Sequence, residues 1–245
     1  MGSEPELRIF PDFESLTQQL ASAIATLSKT TESGFSLALT GGKTVGCLYK
    51  TLGSSHGDAG WERVEFFWSD ERLVPLTHPA SNVRHAKELW LSKLNVPCKR
   101  IHTPNVEGIN PDLAAKAYEA TLRQYLGADL SLGCALLSLG EDGHIASLFP
   151  NHPATRETSR FVVPVLDSPK PPLRRITMTL AMLNRATIVY LVAVGAGKAA
   201  ALRDMLEGSL DLMRCPAQGL QSGHSRIVVW ADQRAAAQLG HSVAS

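Results

Sequence analysis

Apolar positions along this chain alternate between two rhythms. Phe13, Leu16, Leu20, Ile24 and Leu27 recur at threes and fours behind Asp12, which predicts an amphipathic helix capped by that aspartate. Helical spacing also predicts elements over residues 45–52, from Ser81 or Asn82 through Leu94, from Pro111 through Tyr125, and over 198–206 and 232–239. Between them lie short, turn-bounded apolar runs at 7–10, 35–39, 64–68, 135–139, 176–180, 188–194 and 226–230, which read as strands. Strands alternating with helices from end to end predict a doubly wound, mostly parallel, Rossmann-like α/β sheet with helices on both faces, in a single domain over 1–245. From 151 to 174 the rhythm lapses: residues 161–165 can form a short strand, while Pro169, Pro171 and Pro172 mark an exposed loop. This segment is expected to be a loop, a lid or a sheet edge.

The sharpest break in the pattern is LLSLGEDGHIASLFP at 136–150, around which the rest of the chain is organised. A strand ending at Leu139 runs into Gly140-Glu141-Asp142-Gly143-His144, and a short helix is predicted over 145–148. The carboxyl ends of strands in an open α/β sheet are where ligands sit. Asp142 and His144 are close enough for the carboxylate to orient the imidazole beside a helix N-terminus, whose dipole favours the neutral base. That makes His144 a candidate general base. Equally, Asp142 can simply cap the helix and His144 be an ordinary polar surface residue.

Three other loops fall on the same edge. Thr40-Gly41-Gly42-Lys43-Thr44 lies between a strand and a helix, where freed backbone N–H groups and hydroxyls suit a phosphate; the plain alternative is a glycine turn. A Walker A loop would need glycine at Leu37, so this is not a nucleotide triphosphatase motif. Ser69-Asp70-Glu71-Arg72 follows the strand at 64–68, with Arg72 suited to a phosphate and Asp70 to substrate hydroxyls; the alternative is a solvated turn. Gly195-Ala196-Gly197-Lys198-Ala199-Ala200 formally matches a dinucleotide loop, but the nearby Asp211 sits in no evident strand and the acidic partner is missing. Lys198 is then either a charge placed over the phosphate or a solvated helical lysine.

Composition narrows the classes. A net charge of +1 without a basic block gives no footprint for nucleic acid or an anionic membrane. Cys47, Cys98, Cys134 and Cys215 are scattered, which argues against a zinc site or a disulfide framework and suits a reducing compartment. The N-terminal MGSEPELRIF has neither a basic n-region nor an apolar h-region, so a soluble, cytoplasmic protein is expected. Neither a metal nor a nucleotide is expected, and a monomer or weak dimer is.

TGGKT, SDERLVPLTHPASN, GEDGHIASLFP, RITMTL, the lysine of GAGKAA and the terminal WAD occur in an order that closely resembles the 6-phosphogluconolactonases, relatives of the glucosamine-6-phosphate isomerase/deaminases. The resemblance covers nearly the whole chain. Two positions depart from it: Val45 stands where the phosphate loop usually has proline, and Lys43 where a small hydroxyl residue is common. Ile145 is shared with the deaminase branch, but Phe149 occupies the position of that branch's ring-opening acid, and its DEY is DER here. The resemblance implies hydrolysis of 6-phospho-D-glucono-1,5-lactone, a small sugar-phosphate lactone, without metal or organic cofactor. The reading of the residues agrees with that chemistry: His144 is the base and Asp142 its orienter, with Asp70 the next candidate base should His144 fail. Gly41, Gly42, Lys43, Thr44, Arg72, Asn82, Arg175 and Lys198 would grip the substrate, Arg175 on the weakest basis. A deaminase or isomerase of the same fold and a non-catalytic sugar-phosphate sensor are the rival readings.

Overall fold

The structure is a computed structural model and describes residues 4–31, 34–221 and 225–240. Residues 1–3, at the start of the N-terminal MGSEPELRIF, lie outside the described residues. Six strands form a parallel sheet: β1 (Glu6–Phe10), β2 (Ser36–Leu39), β3 (Glu65–Trp68), β5 (Leu132–Ser138), β8 (Ala186–Ala193) and β9 (Arg226–Asp232). Their order is β1-β9-β8-β5-β2-β3. Alternate residues serve opposite faces. Leu37, Leu39, Leu136, Tyr190 and Trp230 pack under α1 (Phe13–Thr30), α2 (Lys43–Ser55) and α3 (Asn82–Leu89). Ala38, Ala135, Leu137, Leu191 and Val229 face α4 (Pro111–Leu126) and α6 (Ala199–Glu207). Both faces are thus covered, which is why the strands read as continuous apolar runs.

Helix ends follow their chemistry. The Asp12 side chain accepts from Ser15 N at 2.7 Å, and Asn110 Oδ1 accepts from Asp112 N at 2.9 Å with Pro111 in the first turn.

A second, three-stranded antiparallel sheet, β4 (Asp70–Arg72), β7 (Arg175–Met178) and β6 (Val162–Val165) in the order β4-β7-β6, was not expected. Ser69 is its pivot: its N–H donates to Leu39 O of the main sheet at 2.7 Å, while its carbonyl accepts from Met178 N at 2.7 Å. The chain therefore leaves the main sheet after Trp68, and the charged DER segment is a strand rather than a turn. Segment 151–174 correspondingly holds a 3-10 turn, Pro153–Arg156, and strand β6, whose outer edge is covered by α4: Glu119 Oε2 accepts from Phe161 N at 2.8 Å and Val162 N at 3.2 Å.

Three expected helices differ. Residues 145–148 form a tight turn closed by an Ile145–Leu148 bridge, with both side chains buried. α3 stops at Leu89 and gives way to a 3-10 turn, Leu91–Lys93. Asp232 ends β9, its carboxylate accepting from Gly195 N and Ala235 N, and residues 233–239 are turns. α5 (Leu180–Leu183) is a single turn between β7 and β8. No described helix is long and apolar enough to cross a membrane.

Candidate active site

The chain runs from β2 toward β3 on one side and from β5 toward β8 on the other, so the loops after β2 and β5 diverge. A crevice opens at such a switch point. It is a polar cleft of about 380 Å³ lined by Thr40 to Thr44, Asp70, Arg72, residues 138–141, His144, Ala146, Arg175, Val194 and Lys198.

The glycine loop is held from below. The Tyr49 hydroxyl donates to Thr40 O at 2.7 Å and accepts from Thr40 N at 3.2 Å. Gly42 has φ of +113° and opens α2 without a side-chain cap, leaving the first-turn N–H groups without a side-chain partner. Lys43 and Thr44 line the same wall, whereas Val45 is turned into the core.

The opposite wall belongs to the second sheet. Asp70 is buried: its Oδ2 accepts from Ser147 Oγ at 2.6 Å and its Oδ1 from Asn82 Nδ2 at 3.1 Å. Arg175 Nη1 lies 3.9 Å from Oδ2. Asn82, expected to touch substrate, is fully buried and stands behind the wall, bonded to Asp70 and packed against Gly41. Glu71 accepts from Arg72 N, Asn82 N, Val83 N and Ser81 Oγ, so it closes the N-terminus of α3. Burial pushes its carboxyl up, against those hydrogen bonds. Arg72 lines the cleft with Nη1 anchored on Ala80 O at 2.7 Å.

The third wall is the GEDGH loop. Gly140 N donates to His144 O at 2.8 Å and Gly143 N to Gly140 O at 3.2 Å. A Cβ on Gly140 would fall 1.9 Å from His144 Nδ1, and Gly143 combines φ of +81° with Cys215 Sγ 2.8 Å from where its Cβ would be. Neither position accepts a side chain. Asp142 Oδ1 makes a short contact with His144 Nδ1, and the Phe149 ring packs on the imidazole at 4.7 Å. Burial raises the Asp142 carboxyl, but the hydrogen bond and charge of His144 and the nearby Lys170 outweigh it and hold it well below the usual carboxylate range. Since no helix follows His144, the expected helix dipole and the capping role of Asp142 both fall away. The carboxylate contact remains.

Lys198 is half-buried at the β8–α6 turn. Desolvation pulls its ammonium below the usual lysine range, and Glu141 opposes the shift. Arg175 lines the cleft as well, with Nε on Pro172 O at 3.0 Å, Nη2 on Lys170 O at 2.7 Å and Nη1 on Ser147 Oγ at 3.3 Å. Of the expected site residues, then, all but Asp142 and Asn82 line the cleft, and Asp142 joins it through His144.

Two contributors to the site carry no motif of their own in the sequence. Ser147 looked like part of a helix, yet it is buried and bonded to Asp70. Lys170 sat in a proline loop, yet its Nζ is 3.3 Å from Asp142 Oδ2. Its one signal was an isolated cation between prolines shortly before Arg175.

Fold and cleft together define a doubly wound α/β protein with an anion-suited pocket at its switch point and a carboxylate–histidine pair on one lip. The family described as glucosamine-6-phosphate isomerases/6-phosphogluconolactonase matches residues 11–230, and the chain belongs to that family. A 6-phosphogluconolactonase of Streptomyces coelicolor is 35% identical over 257 residues, covering 99% of this chain and 98% of that protein. The chloroplastic 6-phosphogluconolactonase 3 of Arabidopsis thaliana is 33% identical over 255 residues, covering 98% of this chain and 77% of that one. Among solved structures, the 6-phosphogluconolactonase from Trypanosoma cruzi superimposes with a TM-score of 0.88 at 26% identity, covering 98% of each chain.

Proposed function

We propose that this protein hydrolyses 6-phospho-D-glucono-1,5-lactone to 6-phosphogluconate, as in the second step of the oxidative pentose phosphate pathway, with His144 as general base. The observation that carries the reading is the Asp142–His144 contact on Nδ1, because it fixes the proton of the neutral ring there and leaves Nε2 to accept one. In this reading Nε2 takes a proton from water as the oxygen bonds to the lactone carbonyl carbon. Asp142 supports the imidazolium that forms, and the same proton passes to the ring oxygen as the C–O bond breaks. The substrate phosphate is held by the Gly41 to Thr44 loop, Arg72, Arg175 and Lys198, since these bring backbone donors and cations to one pocket. Pinning the phosphate supplies the orientation that makes a single base effective.

Phe149 is buried against His144 and Arg175, so the position of the deaminases' acid is apolar, which favours lactone hydrolysis over amino-sugar chemistry. A sensor would bind the ligand without turnover. The deciding experiment is early-time hydrolysis of the lactone by the purified protein, corrected for the spontaneous reaction, with glucosamine-6-phosphate as the comparison substrate. Catalysed opening of the lactone and no release of ammonia are expected; release of ammonia, or saturable binding without turnover of either compound, contradicts the reading.

A further inference from the structure

Lys170 lies outside every motif that defines the cleft, yet it reaches the reacting end of it. Its ammonium is 3.3 Å from Asp142 Oδ2 and 3.5 Å from His144 Nδ1. The two oxygens of Asp142 are therefore divided, Oδ1 serving the imidazole and Oδ2 the lysine. With a partner on each oxygen, the carboxylate is oriented toward the ring.

The backbone that carries Lys170 is fixed despite its exposure. Lys170 N donates to Ser168 Oγ at 3.2 Å, the Ser168 hydroxyl donates back to Lys170 O at 2.9 Å, and Ser168 N donates to Leu173 O at 3.0 Å. Arg175 completes the strap from below through its bonds to Lys170 O and Pro172 O, while itself lining the cleft.

We propose that Lys170 is a positioning residue: it locks the Asp142 carboxylate and, by its charge beside Nδ1, keeps His144 neutral and able to accept a proton. The inference rests on the reading of His144 as general base. Both effects of the lysine have the same sign. A cation beside the ring disfavours the imidazolium, and sharing the carboxylate weakens the pull of Asp142 toward that form. The other charges lining the cleft with the ring are Glu141 on its own loop, Lys43 on the glycine loop, Asp70 and Arg72 on β4, Arg175 on β7 and Lys198 before α6, none of them altered by replacing the Lys170 side chain.

The test is the pH dependence of kcat/KM for the lactone in Lys170→Met, Lys170→Gln and Lys170→Arg, with His144→Ala run alongside. The acid limb should move to higher pH by roughly half to one unit in the two neutral variants, as expected for one half-exposed charge at this range. Lys170→Arg should return it to the wild-type position. An unmoved limb in both neutral variants, with His144→Ala inactive, overturns the proposal and leaves the base reading standing. A His144→Ala enzyme that still turns over overturns both.

Discussion

Gly41 and Asn82 meet so closely that a Cβ on the glycine would fall 1.9 Å from the Asn82 Oδ1. Asn82 cannot swing aside freely, because its amide nitrogen donates both to Asp70 O at 2.9 Å and to the Asp70 carboxylate. The glycine loop thus packs directly on a side chain bonded to the opposite wall of the cleft, with no room for a Cβ between them. Gly41→Ala is expected to cost roughly 1 to 3 kcal/mol of stability by overpacking and to raise KM. Asn82→Ala should relieve it: in a double-mutant cycle by denaturant melts, the pair should cost less than the sum of the two singles. Additive costs would mean that the two residues do not bear on each other.

Asp142 makes stability depend on pH in a defined direction. Its folded carboxyl titrates below the ordinary range because His144 and Lys170 outweigh burial, so the stabilisation is present above the unfolded value near 4 and is lost as pH falls toward the folded one. Asp142→Asn should be less stable than the parent at pH 7, and the gap should narrow as pH is lowered from about 5 toward 3. Melting temperatures at a series of pH values check this; a gap that widens on acidification contradicts it.

Lys198 tests the anion grip. It lines the cleft beside Glu141 and is carried by a different loop from the Asp142–His144 contact. Lys198→Ala should weaken substrate binding by roughly 1.5 to 3 kcal/mol, read as a raised KM and weaker inhibition by 6-phosphogluconate, with kcat less affected. Unchanged values of both would make it a solvated helical lysine.

Two acids at the site are already engaged, Asp142 by His144 and Lys170 and Asp70 by Ser147 and Asn82, and among the described residues no group of three or more acids, histidines or cysteines is arranged to hold a metal ion. Exhaustive EDTA treatment should leave kcat/KM unchanged. Loss of activity that a divalent ion restores would contradict the metal-free reading.

The parallel sheet was legible because strands such as Leu132–Ser138 and Ala186–Ala193 are covered on both faces and must be apolar throughout. The second sheet was not. Asp70–Arg72 is a strand made wholly of charged residues, whose place comes from backbone pairing with β7 and from the side-chain partners of Asp70 and Glu71, and such long-range partners leave no periodicity. The turn at 145–148 misled for the opposite reason, since an apolar run buried in a tight turn reads like one turn of a helix. Chemistry was easier to locate than geometry. The loops at Gly41, Asp70, His144 and Lys198 were assigned to one sheet edge and do line one cleft, whereas Asn82 proved to stand behind it and Lys170 to reach into the site from a loop without pattern.

The most direct test of the account is the turnover of His144→Ala and His144→Gln on the lactone, measured against the spontaneous reaction with binding of 6-phosphogluconate followed in parallel. A base acts on the transition state and the phosphate grip lies on other loops, so both variants should lose about a hundredfold or more in kcat while the fold and product binding persist. Glutamine should not rescue, because an amide can hold a water but cannot take its proton. A folded His144→Ala protein that keeps near-normal kcat above background would contradict the central claim and move the search for the base to Asp70.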